Sequence, residues 1–182
     1  MTDFAPKKML WIDLEMTGLD PQKDCIVEVA AIVTDWDFAE LGSLDYGVKQ
    51  DEDKLRDLFA ANPWTAARPS ESAILIEHSQ QGIPETQAEA DIIKLIDKHF
   101  APDEPVLLAG NSIHCDRGFI KRYWPKLEAR LHYRMLDVSA WKVVMQGKYG
   151  VAFTKKEAHR ALDDIRESIA ELQQYLLSVH IK

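Results

Sequence analysis

Residues 12–20 read IDLEMTGLD and complete an apolar run that begins at Met9. Met9, Leu10, Trp11, Ile12 and Leu14 suit a buried strand, yet Asp13 and Glu15 interrupt them. Successive strand side chains alternate faces. Asp13 and Glu15 therefore share one face, and Ile12 and Leu14 take the other. An ionised carboxylate buried without a partner is costly. Two of them side by side stay ionised together only with a cation between them. Hard divalent cations such as Mg²⁺ or Mn²⁺ favour such oxygen ligands. One reading of the stretch is thus a metal site; the other is a strand end where both carboxylates reach water.

The surrounding pattern indicates the fold class. After the strand, residues 18–24 carry Gly, Asp and Pro as turn punctuation. CIVEVAAIVTDWD is a second apolar, β-branched run and ELGSLDYGVKQ a weaker third, which fits an antiparallel meander. Helical periodicity follows in ESAILIEHSQQG, ending at Gly82. PETQAEADIIKLIDKHF places Ala88, Ile92, Leu95, Ile96 and Phe100 on one face, behind Pro84 and a Thr86–Glu89 capping pair. EPVLLAGN and HYRML read as short strands, RGFIKRYWPKLEARL as helix interrupted at Pro125, and DVSAWKVVMQG as helix. The longest helix spans roughly residues 158–179, with Leu162, Ile165, Ile169, Leu172 and Leu176 as its apolar stripe. This order predicts one α/β domain over residues 1–182. Its mixed sheet has three antiparallel strands, then two parallel strands joined by helical crossovers.

Composition excludes several classes. A chain of 182 residues can bury a real core in one domain. No apolar run approaches the ~20 residues of a membrane helix, and MTDFAPKKML lacks a signal-peptide layout. A soluble cytoplasmic protein is expected. Cys25 and Cys115 have no metal or redox spacing and read as reduced thiols. A net charge of −8 argues against gripping long nucleic acid by its backbone. Residues 117–160 nevertheless hold 11 Lys and Arg against Glu128, Asp137 and Glu157. That segment is either a solvated helical surface or a local anion site.

Further acids occur in telling contexts. Asp116 opens a helix within AGNSIHCDRGF, and HRALDDIRES offers His159, Asp163 and Asp164. On a helical wheel Asp163 lies roughly 150° from the centre of the apolar stripe and Asp164 roughly 110°. Asp163 therefore points to solvent. Asp164 sits on the flank, where it either faces the sheet or supports the helix dipole.

Together, WIDLEMTGLD, GNSIHCDRGF, HYRMLDVS and HRALDDIRES resemble the oligoribonuclease family over residues 8–175. Those enzymes are DEDD exonucleases of the histidine branch, on a ribonuclease-H-like fold. The resemblance implies an α/β ribonuclease-H-like domain with a mixed five-stranded sheet flanked by helices. It assigns Asp13, Glu15, Asp116 and Asp164 as ligands of two Mg²⁺ or Mn²⁺ ions that clamp the scissile phosphate. His159 becomes the general base, suited by an unperturbed pKa near 6.5. The four-residue gap after His159 selects Asp164 over Asp163, as the wheel does. Implied substrates are very short RNAs, dinucleotides above all, degraded from the 3′ end to 5′-mononucleotides as the last step of RNA breakdown. Leu19 would wedge beside a base and Trp64 would stack on one, although ordinary packing also accounts for both. Ser112, Arg134 and Ser139 would hold the 5′ phosphate. Tyr133, part of the catalytic set, and Arg134 would come from the other subunit of a homodimer. A 5′-phosphate site would account for the basic segment.

The chain also departs from the family. Pro69 stands where a histidine is usual five positions after the tryptophan, SESAILIE replaces a Ser-Gly-Leu run, and Ala140 replaces a threonine after DVS. These differences touch the substrate side and leave the metal set intact. His114 and Cys115 have no second Cys/His pair for a zinc site. Glu28 reads as a half-exposed strand position in preference to a support for the acids. His78, His99 and His180 read as surface residues. Two alternatives remain: a related exonuclease acting on longer RNA or DNA ends, or a non-catalytic nucleic-acid-binding module.

Overall fold

The computed structural model describes residues 5–154 and 160–179. Strand β1 (Lys8–Met16) runs through the middle of the sheet because its apolar residues, from Met9 to Leu14, are buried on both faces. One edge of it pairs antiparallel with β2 (Ile26–Asp35), and β2 pairs antiparallel with β3 (Glu40–Lys49). The two-residue β4 (Ile83–Pro84) adds to β3 in parallel. The other edge of β1 pairs in parallel with β5 (Val106–Gly110), and β5 with β6 (Leu131–Asp137). The strand order is β4-β3-β2-β1-β5-β6. The antiparallel and parallel halves agree with the sequence reading. The sheet has six strands where five were expected, because a two-residue strand leaves no periodicity to read.

Eight helices surround the sheet among the described residues: α1 (Glu52–Ala61), α2 (Pro63–Ala66), α3 (Pro69–Gln81), α4 (Glu85–His99), α5 (His114–Tyr123), α6 (Pro125–Glu128), α7 (Val138–Tyr149) and α8 (Ala161–Leu177). The alternation of β1 sorts them into layers. Leu10, Ile12 and Leu14 pack against Ile92 and Ile96 of α4, Phe119 of α5 and Leu127 of α6. Met9 and Trp11 face the opposite layer, with Met145 of α7 and Ile165, Leu172 and Tyr175 of α8. Asp13 and Glu15 continue the Met9–Trp11 series, so they turn toward α8. A smaller core joins Leu55 and Phe59 of α1 and Ile76 of α3 to Cys25 and Val27.

Two local features fix helices against the sheet. The end of α3 meets β3 backbone to backbone: a Cβ on Gly47 would lie 2.1 Å from the His78 carbonyl oxygen. Only glycine permits that approach. The expected Thr86–Glu89 capping pair does not form. Helix α4 starts after Pro84 without a side-chain cap. Glu89 instead accepts hydrogen bonds from the backbone N–H groups of Lys126 and Leu127 at 2.8 and 3.2 Å. It satisfies the open donors of α6 rather than those of its own helix.

Candidate active site

The C-terminal end of β1 and the first turn of α8 bring three carboxylates together. Asp13, Glu15 and Asp164 each place one oxygen within 4.8 Å of the others. Strand alternation supplies the first two and helical phase the third. Asp163, one residue earlier, is exposed and lies 4.0 Å from Arg166 across one helical turn. Asp116, from the first turn of α5, is buried, and its Oδ1 accepts the Leu14 backbone N–H at 2.9 Å. It thus grips the residue between Asp13 and Glu15. His159 lies outside the described residues.

Electrostatics in this corner disfavour negative charge. Burial, then the neighbouring charges of Asp164, Glu28 and Asp116, push Glu15 up to about 8. Burial also raises Asp116, against the pull of the Leu14 N–H. Carboxylates crowded together in this way, Glu15 among them held above its ordinary pKa, have the donor chemistry that a hard divalent cation requires. The residues present fit such an ion.

Glu28 corrects the sequence reading. It is fully buried rather than half-exposed, and it stands opposite Glu15 in the β1–β2 ladder. Like charges directly opposed destabilise a sheet unless something compensates them. Here Arg160 Nε and the Ala161 backbone N–H both donate to Glu28 Oε1 at 3.2 Å, and His78 Nδ1 lies 2.9 Å from Oε2. His78 is accordingly half-buried, not a free surface residue. His99 is also half-buried, packed near Gly42, and His180 lies outside the described residues. Glu28 ties the residues that open α8, and so the approach to Asp164, to the strand beside Glu15.

The expected substrate residues fall into three groups. Leu19 is 76% exposed at the tip of the loop after β1. Asp24 braces that loop by accepting from Thr17 Oγ1 and the Asp20 N–H. A Cβ on Gly18 would meet the Asp24 carboxylate at 2.5 Å, so this bracing needs glycine there. Trp64, 54% exposed, borders a cleft of about 350 Å³ with Glu15, Arg68, Glu71, Leu75 and Arg160. The cleft opens directly beside the carboxylates.

Ser112 and Ser139 form the second group. Their hydroxyls lie 2.9 Å apart, and the Ser112 N–H donates to Asp137 Oδ1 and to Ser139 Oγ. Ser112 adopts φ 52°, a left-handed conformation that these bonds sustain. Ser139 also donates to Asn111, whose amide donates to the buried Glu171, and Glu171 accepts from Tyr175. Tyr133 and Arg134 form the third group, on the sheet-edge strand β6. The Arg134 guanidinium sits 5.2 Å over the Tyr133 ring, and Tyr133 is 72% exposed.

Arg68, Glu71 and Arg160 were not singled out from the sequence, and His78 was read only as a surface residue. Helix α3 buries Ser72, Ile76 and Ser79 rather than a clear apolar stripe, so its helical periodicity did not mark which residues face the cleft. Glu28 did carry a signal: a lone charge within the apolar run IVEVAAIV.

Comparison with known proteins assigns the family. Residues 10–61 and 75–172 match the Exonuclease family RNase_T. The oligoribonuclease of Alkalilimnicola ehrlichii is 40% identical over 94% of this chain and 89% of its own length. That of Corynebacterium glutamicum is 39% identical over 96% and 80%, and that of Francisella tularensis subsp. novicida 41% over 94% and 97%. Among solved structures, Exonuclease I of Methylocaldum szegediense superposes with a TM-score of 0.64 at 16% identity, covering 94% of this chain and 40% of that one. The zinc-bound E. coli ExoI–ssDNA complex gives 0.64 at 15% identity, covering 95% and 41%. The chain thus spans about two-fifths of those structures, which share its ribonuclease-H-like fold. No helix among the described residues is long and apolar enough to cross a membrane. The chain belongs to the exonuclease family and, within it, to the oligoribonucleases; it is an enzyme of the 3′-to-5′ exoribonuclease type.

Proposed function

We propose that this enzyme degrades very short RNA, dinucleotides above all, to 5′-mononucleotides with two divalent ions, Mg²⁺ or Mn²⁺. The observation that carries the reading is the carboxylate trio of Asp13, Glu15 and Asp164 opening onto a cleft of about 350 Å³ walled by Trp64. That volume suits one nucleoside far better than a long strand. Asp13, Glu15, Asp116 and Asp164 would hold the ions. When bound, the ions supply positive charge that acidifies water and offsets the charge of the phosphate.

The chain's own residues do the rest. His159 takes the proton of the attacking water as general base. The water oxygen bonds to phosphorus, the bond to the 3′ oxygen breaks, that oxygen takes up a proton from solvent as the new 3′-hydroxyl, and the 3′-terminal nucleotide leaves with its 5′ phosphate. Asp116, through Leu14, fixes the strand that carries Asp13 and Glu15. Leu19 and the exposed Trp64 ring flank the base; stacking of that kind contributes about 1–3 kcal/mol. Ser112, Ser139 and Arg134 hold the 5′ phosphate of a short substrate.

The enzyme works as a homodimer in the cytoplasm, with Tyr133 and Arg134 of each subunit completing the site of the other. Strand β6 lies at the edge of the sheet, which leaves it able to meet a second copy. Tyr133 and Met135, both exposed on β6, add apolar surface to that edge. Turnover of pApA against a ten-nucleotide RNA, each with and without Mn²⁺, tests the reading. Faster Mn²⁺-dependent release from pApA is expected. Preference for the longer RNA or for DNA overturns the dinucleotide substrate.

A further inference from the structure

Helix α8 carries Asp164 but has no cap of its own. Its N-cap residue is Arg160, which offers no side-chain acceptor to the first N–H groups. The acceptor comes from the sheet. Glu28 of β2, fully buried, takes the Ala161 N–H on Oε1 at 3.2 Å. The same oxygen takes Arg160 Nε at 3.2 Å, and the Arg160 carbonyl accepts the Asp164 N–H at 2.9 Å. A carboxylate at this end of a helix also suits the helix dipole. The first turn of α8 thus hangs on one oxygen of Glu28. The other oxygen, Oε2, faces His78 Nδ1 at 2.9 Å. A carboxylate oxygen accepts, so Nδ1 carries an imidazole proton and donates it. The competing contact, Arg160 Nη2 to the same Nδ1, is longer at 3.4 Å. His78 is itself fixed from behind, since its carbonyl meets β3 at the close approach that Gly47 permits.

We propose that His78 is a positioning residue for the reaction: by donating to Glu28 it holds that carboxylate under α8 and so sets Asp164 beside Asp13 and Glu15. The inference rests on the reading that Asp164 holds a metal ion. Glu28 has a competing use. It stands opposite Glu15 in the β1–β2 ladder, and a carboxylate freed on one oxygen is drawn to any cation held there. Satisfied on both oxygens, it stays a cap. The imidazole therefore acts through Glu28 and Arg160, not on the phosphate. Removing it leaves a buried acceptor unmet, and Glu28 then turns to recover a partner at the expense of Ala161 and Arg160. The first turn of α8 loosens, and Asp164 with it.

The test compares wild type, His78→Ala and His78→Asn, whose amide nitrogen can stand where Nδ1 stands and donate in its place. Two quantities are read: kcat and KM for pApA with Mn²⁺, and hydrogen exchange of the Ala161 and Asp164 amides in the metal-free protein. In His78→Ala kcat should fall roughly tenfold, with KM within about twofold of wild type. Both amides should exchange roughly tenfold faster, measured against the amides of β2. His78→Asn should restore both quantities. Wild-type kcat and exchange in His78→Ala overturn the inference, as does an equal loss in His78→Asn. If His78→Ala does not fold, the imidazole nitrogen spectrum of the wild type decides: a protonated Nδ1 supports the inference and a bare Nδ1 overturns it. Asp164→Ala separates the two readings. If it retains turnover, the metal-ligand reading fails and takes the inference with it. If it is inactive while His78→Ala has wild-type kcat, the inference alone fails.

Discussion

Glu15 and Glu28 face each other across the β1–β2 ladder, and the protein treats the two carboxylates in opposite ways. Glu28 is enclosed by Arg160, the Ala161 N–H and His78. Glu15 is left among Asp164, Glu28 and Asp116, and its pKa rises to about 8. One glutamate is finished as structure; the other is left short of positive charge. This asymmetry within a single cross-strand pair separates the scaffold from the site.

The first prediction concerns pH. Glu15 moves from an ordinary 4.5 to about 8 in the folded, metal-free protein, so folding favours its protonated form. Its contribution to stability is fully present below pH ~4.5 and is lost as pH rises through about 8. Every tenfold gain in proton affinity on folding corresponds to about 1.4 kcal/mol. Mn²⁺ binds the ionised form and should reverse the loss. The rise in Tm on adding Mn²⁺ should therefore be larger at pH 8 than at pH 5.5, and Glu15→Gln should flatten that difference. Calorimetric scans at both pH values, with and without the metal, check it; an equal rise at both would refute the assignment.

The second prediction follows from the burial of Glu28. Glu28→Ala leaves the Arg160 guanidinium and the Ala161 N–H without their acceptor. The expected loss is roughly 2–3 kcal/mol, discounted because Arg160 is partly exposed. Glu28→Gln keeps an acceptor for both donors and should lose less. Urea unfolding measures the difference. Activity should drop in Glu28→Ala as a change in kcat more than in KM, since α8 carries Asp164 while the base wall belongs to α2 and α3.

Asp13→Ala offers a cleaner separation of stability from function. Removing one of three crowded carboxylates should leave the metal-free protein as stable as wild type or slightly more so, with hydrolysis of pApA abolished. His159→Ala should abolish hydrolysis as well while retaining the Mn²⁺-induced rise in Tm, because a general base is not a ligand. Loss of that rise in His159→Ala would make the histidine a ligand instead.

How much of the fold and site was legible in the sequence depended on the range of the interaction. The Asp13–Glu15 pair was readable because strand alternation is a two-residue rule. Asp164 was separable from Asp163 because helical phase is a three- to four-residue rule. The buried role of Glu28 required the β1–β2 register, which joins residues across a turn. Glu71 and Arg68 required the packing of α3 on the end of β3 through Gly47, an approach that no local pattern encodes. Strand β4, two residues long, was missed for want of any period at all.

The last prediction concerns the dimer and distinguishes a site shared between subunits from one complete in each. If Tyr133 serves the opposite subunit, Asp13→Ala and Tyr133→Ala damage different halves of one site. Each variant alone should be nearly inactive on pApA. In a mixed dimer, the site that takes its carboxylates from the Tyr133→Ala subunit and its tyrosine from the Asp13→Ala subunit is intact. Equal mixing and exchange of subunits makes half the dimers mixed, each with one working site of two. Activity should thus recover to roughly a quarter of wild type. If Tyr133 instead serves its own subunit, every site in the mixture lacks one group or the other, and no recovery occurs. The tyrosine lies exposed on the edge strand β6, and Asp13 on the central strand β1 two places in from it. The complementation assay therefore tests the dimer and the trans role of Tyr133 together, and a light-scattering mass near that of one subunit would remove both.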